Sequence, residues 1–571
     1  MDDCSIIFDN GTEAKGGERT VTDKSGTHKS GDHLWSNPAN WTSGLVPTKA
    51  QNVHIHADCI VDKMDQAAGV VKIGAGVHLT INADASLNVT NYLGMCDTEN
   101  NTNILPLTSP DNIRIHANAG GAGTLIHADT RGWVKASVEY YSIASGAPQN
   151  CQWQWMTTPV IDMGAVEKHL AGAWVYLWDN EEHGWTKLLR NGDTMLPFTG
   201  YSFTQPTEGT TYWIQGTLAQ AQDTTIALCY DASDTEMGQY NLIGNSWTAP
   251  INIAGFKPDD FVNCEATIFM FNTGLDEDGF GTVDGGQYVE VPVMTVGKQA
   301  AVSQVIPAMQ TFQVNATSEN PTLTLRYKDL VRPVNNVNRQ PMRIAGRAGT
   351  TGYGDYDGEG ITERLHIHIS GRRFADVVHL YRNADCTYDF DNGWDGTKLF
   401  GDASAVQLFV EHDLRRFAVS TQPHFDGTRL GILRGEDDTY TLRFQYDGTE
   451  TLYLYDSETD RYTPVTNEAT YTFTTLSTEV EHRFLLTATA PENPSGPATG
   501  ILNLTTDRDR AVLTNTTGER LCVMLYDTAG RLCGQYTSNA PLWDIPLPET
   551  KGVYLIEAKT NHEQRTCKVV R

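Results

Sequence analysis

Residues 70–90, VVKIGAGVHLTINADASLNVT, read as successive short strands separated by small residues. Such strands are too thin to bury a core alone, and stacking one turn of chain on the next supplies it, which is how a parallel β-helix reads. Three neighbouring phrases resemble one another: VHIHADC (53–59), IRIHANA (113–119) and TLIHADT (124–130). Only three or four turns of such a solenoid fit here, so the stack needs capping.

Outward from this stretch the chain is β throughout. Period-2 runs recur, among them RLHIHIS and DTYTLRFQYDGTETLYLYD, and 51 glycines supply turns. No long segment carries an apolar stripe of helical period. Strands at short spacing without helices between them point to sandwiches, barrels or solenoids. The expected class is all-β: a short parallel β-helix, two jelly-roll-like β-sandwich domains, and a small C-terminal immunoglobulin-like sandwich. The boundaries read as an N-terminal segment 1–30, the solenoid 31–130, sandwich regions 131–334 and 335–489, a linker 490–500 (APENPSGPATG) and a last module 501–571.

With 42 Lys and Arg against 70 Asp and Glu, the formal charge of −28 argues against a nucleic-acid partner, because nothing offsets repulsion from phosphates. No apolar run is long enough for a transmembrane helix. The first residues lack a basic n-region and a long apolar h-region, so either the protein stays inside the cell or, the favoured reading, the numbering begins after removal of a signal. The ten cysteines form no C-x-x-C pair, which disfavours a zinc site of that kind. Cys522 and Cys533 flank the turn YDTAGR and could face each other across a hairpin.

Candidate sites follow from residue type. His54/His56 and His366/His368 are i, i+2 pairs, each on one face of a strand, but no third ligand lies at a telling spacing. Acidic turns hold Asp276 and Asp278 in GLDEDGFGTVDGG, and Asp389, Asp391 and Asp395 in DFDNGWDG. Calcium is the cation such oxygens would take, although Asp and Gly also simply favour turns. No other cofactor is called for. Trp153 and Trp155 share one strand face, as do Trp174 and Trp178. Flat aromatic faces can stack on sugars, but Val175 and Leu177 opposite them make core packing the competing reading. Catalytic signatures are missing, with no G-x-S-x-G, H-E-x-x-H or P-loop, so no catalytic residue is assigned.

Three regions resemble modules of proteins exported by the type IX secretion system. In DHLWSNPANWTSGLVPTKAQNVHIHADCIV (32–61), Trp35, Asn40, Trp41, Gly44 and Pro47 match a phrase that precedes β-helical turns in that group. From 131 to 316, Trp153 and Trp155, Trp174 to Trp185, Gly200–Tyr201, Asn241 to Asn245 and Gln310 to Val314 follow the order of its β-sandwich region. Ser246–Trp247 stand where that region usually has Pro. Asp376, Asp389, Asp391, Gly393, Asp395 and Lys398 fit the next acidic, turn-rich phrase.

The stretch 501–571 resembles the C-terminal sorting domain of the same exported proteins. A Y-D-x-x-G-R turn, a G-x-Y strand and a K-V-x-R strand are matched by Tyr526, Asp527, Gly530, Arg531, Gly552, Tyr554, Lys568, Val569 and Arg571. The usual P-N-P opening is reduced to ENPSGP. The resemblance implies engagement of the type IX machinery through this domain, display outside the outer membrane, and attachment to surface lipopolysaccharide. It also implies O-glycosylation of Asp-Thr-x tripeptides at Thr194, Thr224 and Thr528. The expected function is a secreted or surface-displayed structural or adhesive protein. An extracellular carbohydrate-binding protein is the alternative, and a polysaccharide-active enzyme the third reading.

Overall fold

The computed structural model describes residues 32–96, 104–142, 153–272, 287–296, 305–330, 360–489 and 502–571, apart from scattered positions within these ranges. It also describes the backbone of two short strands, Ser5–Ile7 and Thr20–Val21. Among these residues the regular structure is strand, with helix only as single 3-10 turns. None of them forms a helix long and apolar enough to cross a membrane. The chain divides into two compact units, residues 1–275 with 293–356, and 276–292 with 357–571.

The first unit opens with three stacks of parallel strands. Asn52–Ile55, Val71–Ile73 and Leu93–Cys96 make one. Cys59–Val61, Leu79–Ile81, Ile113–Ile115 and Lys135–Ser142 make the second. Gln66–Ala68, Ser86–Val89 and Thr124–His127 make the third. Each pass of the chain adds a strand to each sheet in turn. Register sets like against like: Val53, Val71 and Leu93 form one fully buried column, and Cys59, Leu79 and Ile113 another. A strand of three residues presents one or two side chains inward, and only the next turn covers them. The three similar phrases fall on different sheets, so their likeness is one of strand chemistry and not of a repeat in register.

The Trp35–Trp41 phrase locks onto the first turn. Trp35 N–H donates to the Ile60 carbonyl at 2.7 Å, and Trp41 Nε1 donates to the Trp35 carbonyl at 2.7 Å. The rings meet edge to face at 4.9 Å, both buried. Asn40 holds the bend by donating to Asp32 and to the Leu34 carbonyl.

Lys135–Ser142 pairs in parallel with Ile113–Ile115 on one edge and antiparallel with Thr210–Thr217 on the other. One apolar core then continues from Trp35 through Ile113 and Tyr140 to Met309. The boundary expected at 130/131 therefore runs through a single sheet and a single core. Beyond it lie several antiparallel sheets, two of four strands and two smaller ones. Of the larger two, Gln154–Met156, Tyr201–Thr204, Trp174–Asp179 and Gly184–Leu188 form one, and Tyr240–Gly244, Thr311–Asn315 and Thr267–Asn272 belong to the other. Ser246–Trp247 fit without proline. Trp247 is buried and donates from Nε1 to the Gln220 carbonyl, while Ser246 Oγ accepts the Phe198 N–H at 2.6 Å.

In the second unit one long sheet dominates. From edge to edge its strands are Arg461–Pro464, Tyr453–Asp456, Glu479–Thr487, Arg429–Leu433, Gln407–His412, Arg415–Gln422, Ala375–Arg382, Glu363–Ser370, Thr439–Tyr446 and Thr470–Thr474. The sheet curls until its ends nearly meet. Tyr471, near one edge, donates its hydroxyl to Asp456 Oδ2 at 2.6 Å, beside the other edge. Arg483 clamps Asp456 through Nε at 2.9 Å and Nη2 at 2.8 Å, and donates from Nη1 to the Thr474 carbonyl. This seam is dry: Arg483 is 3% exposed and Asp456 fully buried.

Candidate functional site

The module at 502–571 has two sheets sharing one core. Leu502–Asp507, Arg510–Asn515 and Leu542–Asp544 form one sheet. Leu532–Ser538, Leu521–Asp527, Val553–Lys559 and Gln564–Val570 form the other. Alternation in Val553–Lys559 is clean: Tyr554, Ile556 and Ala558 are buried, while Leu555 is 46% exposed. Arg510 ties the module to the long sheet by reaching both Asp544 and Asp438.

The residues carrying the sorting resemblance hold two structural points. At the turn, Asp527 accepts N–H bonds from Ala529 at 3.0 Å and Arg531 at 2.9 Å, and Gly530 takes φ 75°, which suits glycine. These backbone donors, led by that of Arg531, hold the Asp527 carboxyl below its ordinary range. At the hairpin base, Gly552 and Arg571 exchange both backbone hydrogen bonds, at 3.1 and 2.9 Å. Arg571 Nη1 also donates to the carbonyls of Leu547, at 2.9 Å, and Pro548. Tyr554 is buried with its hydroxyl donated to the Thr550 carbonyl, and Val569 is buried. Tyr526 is half-buried near Glu557, and Lys568 projects into solvent.

The anticipated Cys522–Cys533 bridge does not form. Cys522 stands opposite Thr537, four residues from Cys533, so the two thiols are far out of register.

The tryptophans gather on one sheet face. Trp155 is 5% exposed and stacks on Phe271 at 5.2 Å. Trp153 meets Tyr176 edge-on at 5.6 Å, and Trp178 meets Trp185 at 5.4 Å. Trp153, Trp174 and Trp178 remain half-buried, so only Trp155 is a core residue. Asp276 and Asp278 lie outside the described residues. Asp391 accepts from Thr387 N–H and hydroxyl, Asp395 accepts from Asp391 N–H and Thr421 N–H, and exposed Asp389 lies 3.4 Å from His412 Nε2. The oxygens of Asp391 and Asp395 thus fold their own loop. Thr528 is exposed in a turn, Thr194 is exposed in irregular backbone, and Thr224 is half-buried at the start of a strand.

The histidine pairs part ways. His366 Nδ1 meets His379 Nδ1 at 2.6 Å, one donating and one accepting, and burial pushes His366 down to about 4. His368 contacts Gln445. That group is a satisfied polar patch between strands. His54 and His56 instead gain Cys96, with one ligand atom of each residue inside 4.8 Å of the others. Nothing in the sequence singles out Cys96, because only the register of the parallel sheet brings it there.

A buried charge cluster was equally hidden. Lys398 Nζ donates to Asp376 at 3.0 Å, and Asp376 also accepts the Leu408 N–H at 2.7 Å. Glu290 accepts the Leu399 N–H at 3.0 Å. One cation faces two carboxyls, and burial raises the surplus acid, Glu290, to about 7.

These features define an all-β protein of stacked parallel strands, antiparallel sheets and an ordered terminal hairpin module. Residues 27–487 match the model of a family described as "Domain of unknown function (DUF8693)", and the chain belongs to that family. It is 28% identical over 454 residues to the minor fimbrium subunit Mfa5 of Porphyromonas gingivalis, an alignment covering 72% of this chain and 34% of that protein. The chain thus spans about a third of that relative's length. A solved structure, dimeric latent PorU from Porphyromonas gingivalis, is 11% identical, covering 64% of this chain and 35% of its own, at a TM-score of 0.13, too low to bear on the fold.

Proposed function

We propose that this chain is a structural or adhesive component of a bacterial cell surface, delivered by the type IX secretion system with residues 501–571 as its sorting domain. The relationship to a minor fimbrium subunit over 454 residues carries the reading. In this reading the parallel stacks within 31–130 are a short β-helix and 131–334 a sandwich region, while 335–489, expected as a second sandwich, is built on the single curled sheet. Such rigid, mostly β scaffolds suit extension from a surface. The sorting module would present the Asp527–Arg531 turn and the exposed Lys568 to the secretion machinery, and surface lipopolysaccharide would anchor the cargo. Glycan contact is the second reading, favoured by the half-buried rings of Trp153, Trp174 and Trp178. Calcium held at Asp276, Asp278 or Asp389 would accompany either role.

Protease shaving of intact host cells, followed by blotting, tests the first reading. The protein should be cleaved from outside and run short of full length by the loss of 501–571. Deletion of 553–571 should abolish display. Full-length protein confined to the cytoplasm would refute it. A glycan array on the purified chain, with Trp174→Ala as control, tests the second.

A further inference from the structure

We propose that His54, His56 and Cys96 form a transition-metal site, with zinc as the ion. Strand parity places all three on one side of one parallel sheet. Val53 and Ile55 point into the core, so His54 and His56 point away from it. Register pairs His54 with Lys72 and Lys72 with Gly94. The printed ladder runs on to Ile55, Ile73 and Met95, and His56, Gly74 and Cys96 follow, two residues beyond His54, Lys72 and Gly94 and so on the same face. His56 and Cys96 are therefore two strands apart, about 10 Å between Cα atoms. The residue between them is glycine, which leaves their side chains room to converge. The three candidate ligand atoms lie within 4.8 Å of one another.

The donor set is that of a borderline-soft ion. Two imidazoles and a thiolate match zinc sites with three protein ligands and an open fourth position. Tetrahedral zinc wants ligand atoms roughly 3.5 Å apart, and His56, exposed, has the rotamer freedom to close the remaining gap. Cys96 is a thiol outside any disulfide. On binding, its S–H proton leaves to solvent as the zinc–sulfur bond forms, and each imidazole donates a lone pair without losing a proton. Bound metal would staple the first and third strands of the stack across the second. Among the described residues no fourth ligand joins the group, and the remaining position would take water or a ligand from another molecule.

The test uses the full purified chain, stripped of metal under reducing conditions. Zinc should bind at one equivalent in competition with a chromophoric chelator, raise the thermal midpoint, and slow alkylation of Cys96 mapped by mass spectrometry. Cobalt should give a thiolate-to-metal charge-transfer band that Cys96→Ser lacks. His56→Ala, at an exposed position, should fold as the parent and bind zinc at least about tenfold more weakly. Zinc binding unchanged in folded His56→Ala or Cys96→Ser, or no saturable binding in the parent, would overturn the site. Copper bound in preference to zinc with the same variant dependence would overturn the choice of ion.

Discussion

Replacing Arg483 with Met opens the seam that nearly closes the long sheet of the second unit. The guanidinium supplies both charge-assisted donors to Asp456, at 2.9 and 2.8 Å, in a site from which water is excluded. Methionine fills much of the volume but leaves a buried carboxylate without its cation, a loss of about 3–5 kcal/mol. Asp456 keeps two donors, the Tyr471 hydroxyl at 2.6 Å and the Glu458 N–H at 3.0 Å, which places the cost at the lower end, about 3 kcal/mol. For a unit of this size that lowers the melting midpoint by roughly 6–12 °C. Scanning calorimetry of the full chain should show the second unit's transition move down and the first unit's stay. Asp456→Asn in the Arg483→Met background removes the orphaned charge and should recover more than about 1 kcal/mol. Single and double variants that simply add, within about 0.5 kcal/mol, would refute the coupling and with it the account of the seam.

The surplus acid in the second unit makes stability depend on pH. Glu290 is raised from 4.5 to about 7, so its contribution is complete below pH 4.5 and is lost as pH rises through 7, by about 3 kcal/mol at 1.36 kcal/mol per pH unit. Glu290→Gln should therefore gain on the parent from pH 4.5 to 8 in urea denaturation, and a pH-independent difference would count against the assignment. Arg571→Ala removes the donor to the Leu547 and Pro548 carbonyls, so exchange of the Gly552 and Arg571 amides should quicken by about tenfold, on the order of 1 kcal/mol. In Gly530→Ala the added Cβ meets no neighbour within 4 Å, so its cost, about 1–2 kcal/mol, comes from φ 75° alone and should appear as faster proteolysis at the 527–531 turn.

Much was legible because period-2 alternation is a local property. The stretch 70–90 reads as short strands, and strands stand at Val71–Ile73, Leu79–Ile81 and Ser86–Val89. The last strands follow the same rule, with Tyr554, Ile556 and Ala558 of Val553–Lys559 turned inward. The paired tryptophans at 35 and 41 were found as a phrase, and the fold uses them as an interlocked pair.

What the sequence by itself determined was therefore strand content, strand faces, and the turns where glycine must sit. Tertiary structure decided which strand lies beside which, and every site here depends on that choice. Cys96 joins His56 only because Gly74 lies between them in a parallel ladder. Glu290 meets Lys398 across more than a hundred residues of chain. Cys522 misses Cys533 because the hairpin register sets it opposite Thr537, four residues further along the partner strand. Side-chain alternation is set by the backbone of one strand, whereas register is set by the summed burial of many strands at once, which no single stretch encodes.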